Sequence, residues 1–163
     1  MTITRAVFSL TLCLLPACDP GIEEPRPEPI GLRLYERQPD RSPVQDTLHS
    51  DLSYTTVQLV SSDGEREVIA SFVPATADFL EAELEAVADG ASLGEFDPYC
   101  LSWVDKDTSI LYVPSRAGLL AFTYPWLCPP SGLAELDEVL RDVVIAMRDC
   151  SPSAHITDCE IVR

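Results

Sequence analysis

Two stretches of this chain repeat apolar residues at helical spacing. Leu133, Leu136, Leu140, Val143 and Met147 advance in alternating steps of three and four, which lays one apolar stripe along an α-helix. Ser131 stands where an N-cap belongs. Glu135, Asp137 and Glu138 complement the positive helix start, and Arg148 complements its negative end. Asp137 and Arg141 add an i, i+4 pair. Earlier, Ala75 to Asp89 places Leu80, Leu84 and Val87 on one stripe, with Gly90 at the C-cap. Asp78, Glu81 and Glu85 follow another side of that helix, as a solvated acidic face does.

Strand signals fill most of the remainder. Gly31 to Glu36 reads as a short strand, and Gln38 to Ser50 as a turn-rich stretch. Leu52 to Val60 and Glu67 to Val73 form a hairpin across Ser61-Ser62-Asp63-Gly64-Glu65, with Asp-Gly as its turn. Val68, Ala70 and Phe72 fall on one side of the second arm and Ile69, Ser71 and Val73 on the other. A meander then runs through Leu101 to Val104, Ile110 to Val113 and Leu119 to Tyr124. These elements predict an α+β domain, with two helices packed on one face of an antiparallel sheet of five or six strands.

The chain's beginning is of another kind. Arg5 precedes an apolar run from Ala6 to Leu15, too short to span a bilayer and suited to a secretory signal. Leu15-Pro16-Ala17-Cys18 closes that run. It resembles the lipobox of bacterial lipoproteins, with Pro16 in place of the usual small residue. The resemblance covers residues 1–18. It implies removal of a signal peptide over residues 1–17 and lipidation of Cys18 by thioether-linked diacylglycerol. Residues 19–29 hold four prolines and four acids without amphipathic period, and read as an extended tether. Residues 30–163 form the single globular domain. The expected location is the bacterial cell envelope, membrane-anchored and extracytoplasmic.

Without the signal, ten basic residues face 27 acidic ones, a formal charge of −17. Such a surface repels phosphate backbones and anionic headgroups, which argues against nucleic acid and against direct lipid-surface binding. The membrane is then met only through the lipid anchor.

Cys100, Cys128, Cys150 and Cys159 remain as an even set in an oxidising compartment, so two disulfides are expected to staple the C-terminal half. Their gaps of 28, 22 and 9 lack the paired spacing of a zinc site. The last helix would hold Cys128 and Cys150 about 27 Å apart, beyond the roughly 7 Å that a disulfide tolerates. Two connectivities survive: 100–150 with 128–159, and 100–128 with 150–159. A simple up-down meander favours the first, with the tail returning along the helix.

Candidate chemistry is sparse. His49 lies among Asp46, Ser50 and Asp51 in a predicted polar turn, and His155 lies in the short tail between two cysteines. No nucleophile elbow accompanies either histidine. Asp105-Lys106-Asp107-Thr108-Ser109 begins like a calcium loop but places Ile110 and Arg116 where glycine and glutamate belong. No phosphate-binding glycine loop or dinucleotide fingerprint occurs. Neither a cofactor nor a metal is expected, and no catalytic residue is assigned.

Tyr124 and Trp126, in an aromatic and proline-rich corner, are the candidate partner-binding residues. The competing role for Trp126 and Leu127 is to close the core beneath the last helix. The function expected is a lipid-anchored, non-catalytic binding or scaffolding module of the envelope. The alternative is a secreted, disulfide-stapled protease inhibitor presenting Pro114 to Gly118 as its exposed loop.

Overall fold

The structure is a computed structural model that describes residues 32–39, 45–51, 53–62, 66–98 and 107–162. The expected signal peptide, Cys18, the tether, Cys100 and the strand at Leu101 to Val104 lie outside the described residues.

Among the described residues, seven strands and two α-helices follow in the order β1 (Leu32–Gln38), β2 (Asp46–Ser50), β3 (Thr56–Ser61), β4 (Arg66–Phe72), α1 (Pro74–Ala88), β5 (Thr108–Ser115), β6 (Gly118–Pro125), α2 (Ala134–Asp149) and β7 (Ile156–Ile161). The strands form one antiparallel sheet in the order β6-β5-β1-β2-β3-β4-β7. The α+β class is as expected, and the strand count exceeds expectation. The supposed turn-rich stretch contains β2, and the tail contains β7.

Register explains the layering. Leu111, Tyr35, Leu48, Leu59 and Val68 are successive cross-strand partners on five adjacent strands, and all five are buried. Residues one step along each strand point the other way: Thr47, Val60 and Ile110 are only partly buried or exposed. One face of the sheet therefore joins the core with Leu80, Leu84 and Val87 of α1 and Leu136, Leu140, Val143 and Met147 of α2. Burying a side chain of this size contributes about 1.5–3 kcal/mol.

Local chemistry sets the helix ends. Pro74 ends β4 and opens α1, where its missing N–H costs nothing. Gly90, at φ +92°, closes α1 as expected, with Ala91 N–H donating to Ala86 O. Ser131 is not the N-cap of α2. It opens a 3₁₀ turn, Ser131–Leu133, and its Oγ accepts a 3.2 Å bond from Glu95 N–H. That turn is pinned to the segment after α1, because Gly132 N–H donates to Leu93 O at 2.8 Å.

The favoured disulfide connectivity is overturned. Cys150 bonds Cys159, which excludes both 100–150 and 128–159. The tail does not return along the helix. It pairs with β4, placing Cys159 opposite Ala70 beside the C-terminal end of α2. Cys128 is also disulfide-bonded, to a partner outside the described residues.

Candidate functional site

Positions 81, 84, 85, 88 and 89 recur at helical spacing, so α1 and its C-cap residue Asp89 present Glu81, Leu84, Glu85, Ala88 and Asp89 along one side. The β5–β6 turn, from Pro114 to Ala117, faces that side together with Tyr54, and the two walls enclose a groove of about 670 Å³. Leu84 and Ala88 give it an apolar floor, and three carboxylates stand against the single guanidinium of Arg116. Burial raises the Tyr54 phenol above its ordinary value, and the Glu81 charge adds to the shift. The groove is thus electronegative above an apolar floor, a setting that favours a cationic group with an apolar stem. The acidic strip is exposed, as a solvated face is, and it supplies one of the groove's walls through Glu81 and Glu85. Which loop faces α1 was not readable locally, because the β5–β6 turn follows it by some 25 residues.

The turn is tight. Ser115 Oγ donates to Gly118 O at 2.7 Å, with Arg116 and Ala117 exposed at its tip.

Tyr124 and Trp126 do not form the exposed patch foreseen for a partner. Tyr124 is 3% exposed, and its hydroxyl donates to Asp137 Oδ1 at 2.8 Å. Trp126 is partly buried against the core, tilted against Tyr35 at 6.5 Å between ring centres. Arg37 covers the Trp126 ring at 4.4 Å while donating to Asp107 Oδ2 at 2.7 Å. Trp126 closes one end of the core, whereas Leu127 is 57% exposed.

The two histidines lie apart. His49 is on β2, on the sheet face turned from the core, and it does not line the groove. Burial and the nearby Arg33 charge lower its pKa, against an opposing pull from Glu36. Its Nδ1 is buried without a hydrogen-bond partner among the described residues. His155 shares a 3.1 Å hydrogen bond between its Nδ1 and Thr76 Oγ1, and its Nε2 lies 3.9 Å from Asp142. No cluster of three or more metal-ligating side chains occurs among the described residues, and none of their helices is long and apolar enough to cross a membrane.

A polar centre invisible to periodicity lies inside the core. Asp137 has no exposed surface. It accepts from Tyr124, from Tyr35 at 3.4 Å and from Arg141 Nε at 2.8 Å, while Tyr35 also shares a 3.0 Å bond with Ser109. Burial, reinforced by the Asp137 charge, drives both phenols well above their ordinary pKa. They remain neutral donors, and every partner in the cluster is engaged, so it organises the fold and leaves no reactive group free.

No protein-family model, curated protein or solved structure matches this chain.

Proposed function

We propose that this chain is a lipid-anchored, extracytoplasmic binding module of the bacterial envelope, carried at the membrane by Cys18 and held off it by residues 19–29. The Cys150–Cys159 disulfide carries the reading, because such bonds persist in oxidising compartments and are rare in the cytosol. The lipobox-like Leu15-Pro16-Ala17-Cys18 supplies the anchor. Binding is assigned to the groove between α1 and the β5–β6 turn. Glu81, Glu85 and Asp89 set the sign of its ligand: a basic side chain of a partner protein, with Leu84 and Ala88 receiving the alkyl stem.

The test is the intact mass of protein purified from host membranes, measured before and after reduction with alkylation. A diacylglycerol adduct on Cys18 is expected, together with four thiols that react only after reduction. An unmodified Cys18, or thiols already reactive before reduction, sinks the proposal. The groove is tested separately by binding of an arginine-rich peptide. Neutralising Glu81→Gln, Glu85→Gln and Asp89→Asn together should weaken that binding, and unchanged affinity would remove the groove from the reading.

A further inference from the structure

The groove carries charge of both signs, and on different walls. Glu81, Glu85 and Asp89 stand on α1 and its C-cap, whereas Arg116 stands on the β5–β6 turn. All four residues are exposed, and Arg116 forms no ion pair with any of the three carboxylates. A site that answered to positive charge alone would be weakened by a guanidinium on its rim. The mounting of Arg116 is fixed by its turn. Ser115 Oγ donates to Gly118 O and accepts from Ala117 N–H at 3.3 Å, and Gly118 takes φ +125°, a conformation that suits glycine. Between the walls, Leu84 is buried and Ala88 half-buried. On the acidic side the Tyr54 phenol feels the Glu81 charge, so ring and carboxylate border the same space. That pairing suits a guanidinium better than an ammonium, because a guanidinium stacks on an aromatic ring and bonds a carboxylate through a planar fork.

From this division of charge we infer that the groove receives the C-terminal residue of a partner chain, an arginine with a free α-carboxylate. Its guanidinium goes to the α1 wall, its alkyl stem to Leu84 and Ala88, and its carboxylate to Arg116. The inference rests on the groove reading proposed above and adds a required anion to it. A terminal arginine holds both charges on one residue, so binding orders a single side chain, whereas an internal basic and acidic pair must order two. The chain's formal charge of −16 turns away a carboxylate that arrives without a cation beside it. A carboxylate carried in by an arginine overcomes that field and meets in Arg116 a two-pronged donor.

The experiment titrates the full-length chain, in uncharged detergent, with two acetylated peptides of glycine and serine that end in one arginine. One peptide has a free C-terminal carboxylate and the other a C-terminal amide; binding is followed by chemical shifts. The amide has one more net positive charge, so a merely acidic surface binds it more tightly. The inference predicts the reverse order, with the free acid ahead by roughly tenfold for a charge-assisted bond. Arg116→Gln should abolish that preference and leave the amide at least as tightly bound, with an unchanged circular dichroism spectrum. An amide that binds as well as the free acid to the unaltered chain overturns the inference, as does a free-acid preference that survives Arg116→Gln. The combined Glu81→Gln, Glu85→Gln and Asp89→Asn variant separates the two readings. If it weakens both peptides while the amide binds as well as the acid, the groove stands and the terminal carboxylate falls. If it weakens neither, the groove reading falls and the inference with it.

Discussion

Tyr124 donates a 2.8 Å hydrogen bond to Asp137, joining the last residues of β6 to the first turn of α2 around a carboxylate shielded from water. The bond fixes where α2 settles on the sheet, because Tyr35 on β1 and Arg141 on α2 converge on the same two oxygens. A buried charge with several directional partners tolerates little sliding of the helix.

Removing single partners from this cluster should therefore cost more than a surface pair does. Tyr124→Phe leaves one oxygen of Asp137 short of a strong donor and should destabilise by about 1–3 kcal/mol. Arg141→Met strips the counter-charge from a buried carboxylate and should cost about 3–5 kcal/mol. Urea denaturation of each variant measures both. A loss below half a kilocalorie for Arg141→Met would show that the pair behaves as an exposed helix pair.

His49 gives stability a pH dependence whose sign follows from its lowered pKa. The unfolded imidazole takes up a proton near its ordinary value of about 6.5, while the folded one resists until lower pH. Between those two values the unfolded chain holds more protons, so stability is full above the unfolded pKa and declines as pH falls towards the folded one. His49→Gln should flatten this part of a stability–pH curve. An unchanged slope in the variant would assign the titration elsewhere.

Asp51 acts in the same direction at lower pH. Its burial pushes the carboxyl up, but bonds from the Thr55 side chain and backbone, from Ser53 and from Thr56 outweigh that and hold it below the ordinary value. The stability it contributes is present above the unfolded carboxylate pKa and is lost as pH falls through the folded one. Asp51→Asn should shift the acid-unfolding midpoint of the chain upward; a midpoint that stays put would dismiss the Asp51 turn as a contributor.

Gly132 has no room for a side chain. A Cβ there would lie 2.6 Å from Ser92 O and 2.8 Å from Leu93 O, both backbone atoms. Gly132→Ala must push the connector off the 3₁₀ turn, at a cost of about 1–3 kcal/mol. A thermal melt compares it with Gly90→Ala, whose penalty comes from its positive φ alone, since nothing crowds that position.

Cys150 sits at φ +44°, where a glycine would be at ease, and closes α2 with Ser151 N–H donating to Ala146 O. The position accepts that conformation in a residue that also supplies sulfur to Cys159. Replacing both cysteines by serine should cost about 2–3 kcal/mol for a loop this short. Peptide mapping of the unreduced protein should recover Cys150–Cys159 as one linked pair and Cys128 linked to Cys100. Recovery of a Cys100–Cys150 peptide would contradict the fold described above.

The sequence by itself determined both helices and the β3–β4 hairpin, because each buries a face at its own repeat: Leu80, Leu84 and Val87 on α1, Leu136 to Met147 through α2, and Val68, Ala70 and Phe72 on β4; the β5–β6 pair was marked by its turn at Pro114 to Gly118. Local pattern could not reveal β2. Its inward positions are Asp46, Leu48 and Ser50 and its outward ones Thr47 and His49, so period two carries almost no contrast in polarity. β7 has only Ile156 buried, and its existence depends on β4 offering an edge. The tertiary structure alone decided that Asp137 lies in the core, since a carboxylate at a helix start is ordinarily solvated and becomes buried only when Tyr35, Tyr124 and Arg141 arrive from elsewhere. It also decided the disulfide, because the meander argument assumed neighbouring strands in chain order, whereas β5 joins the sheet beside β1 and β7 beside β4. The acidic groove followed in the same way: α1 alone supplied its charges, and the β5–β6 turn made it concave.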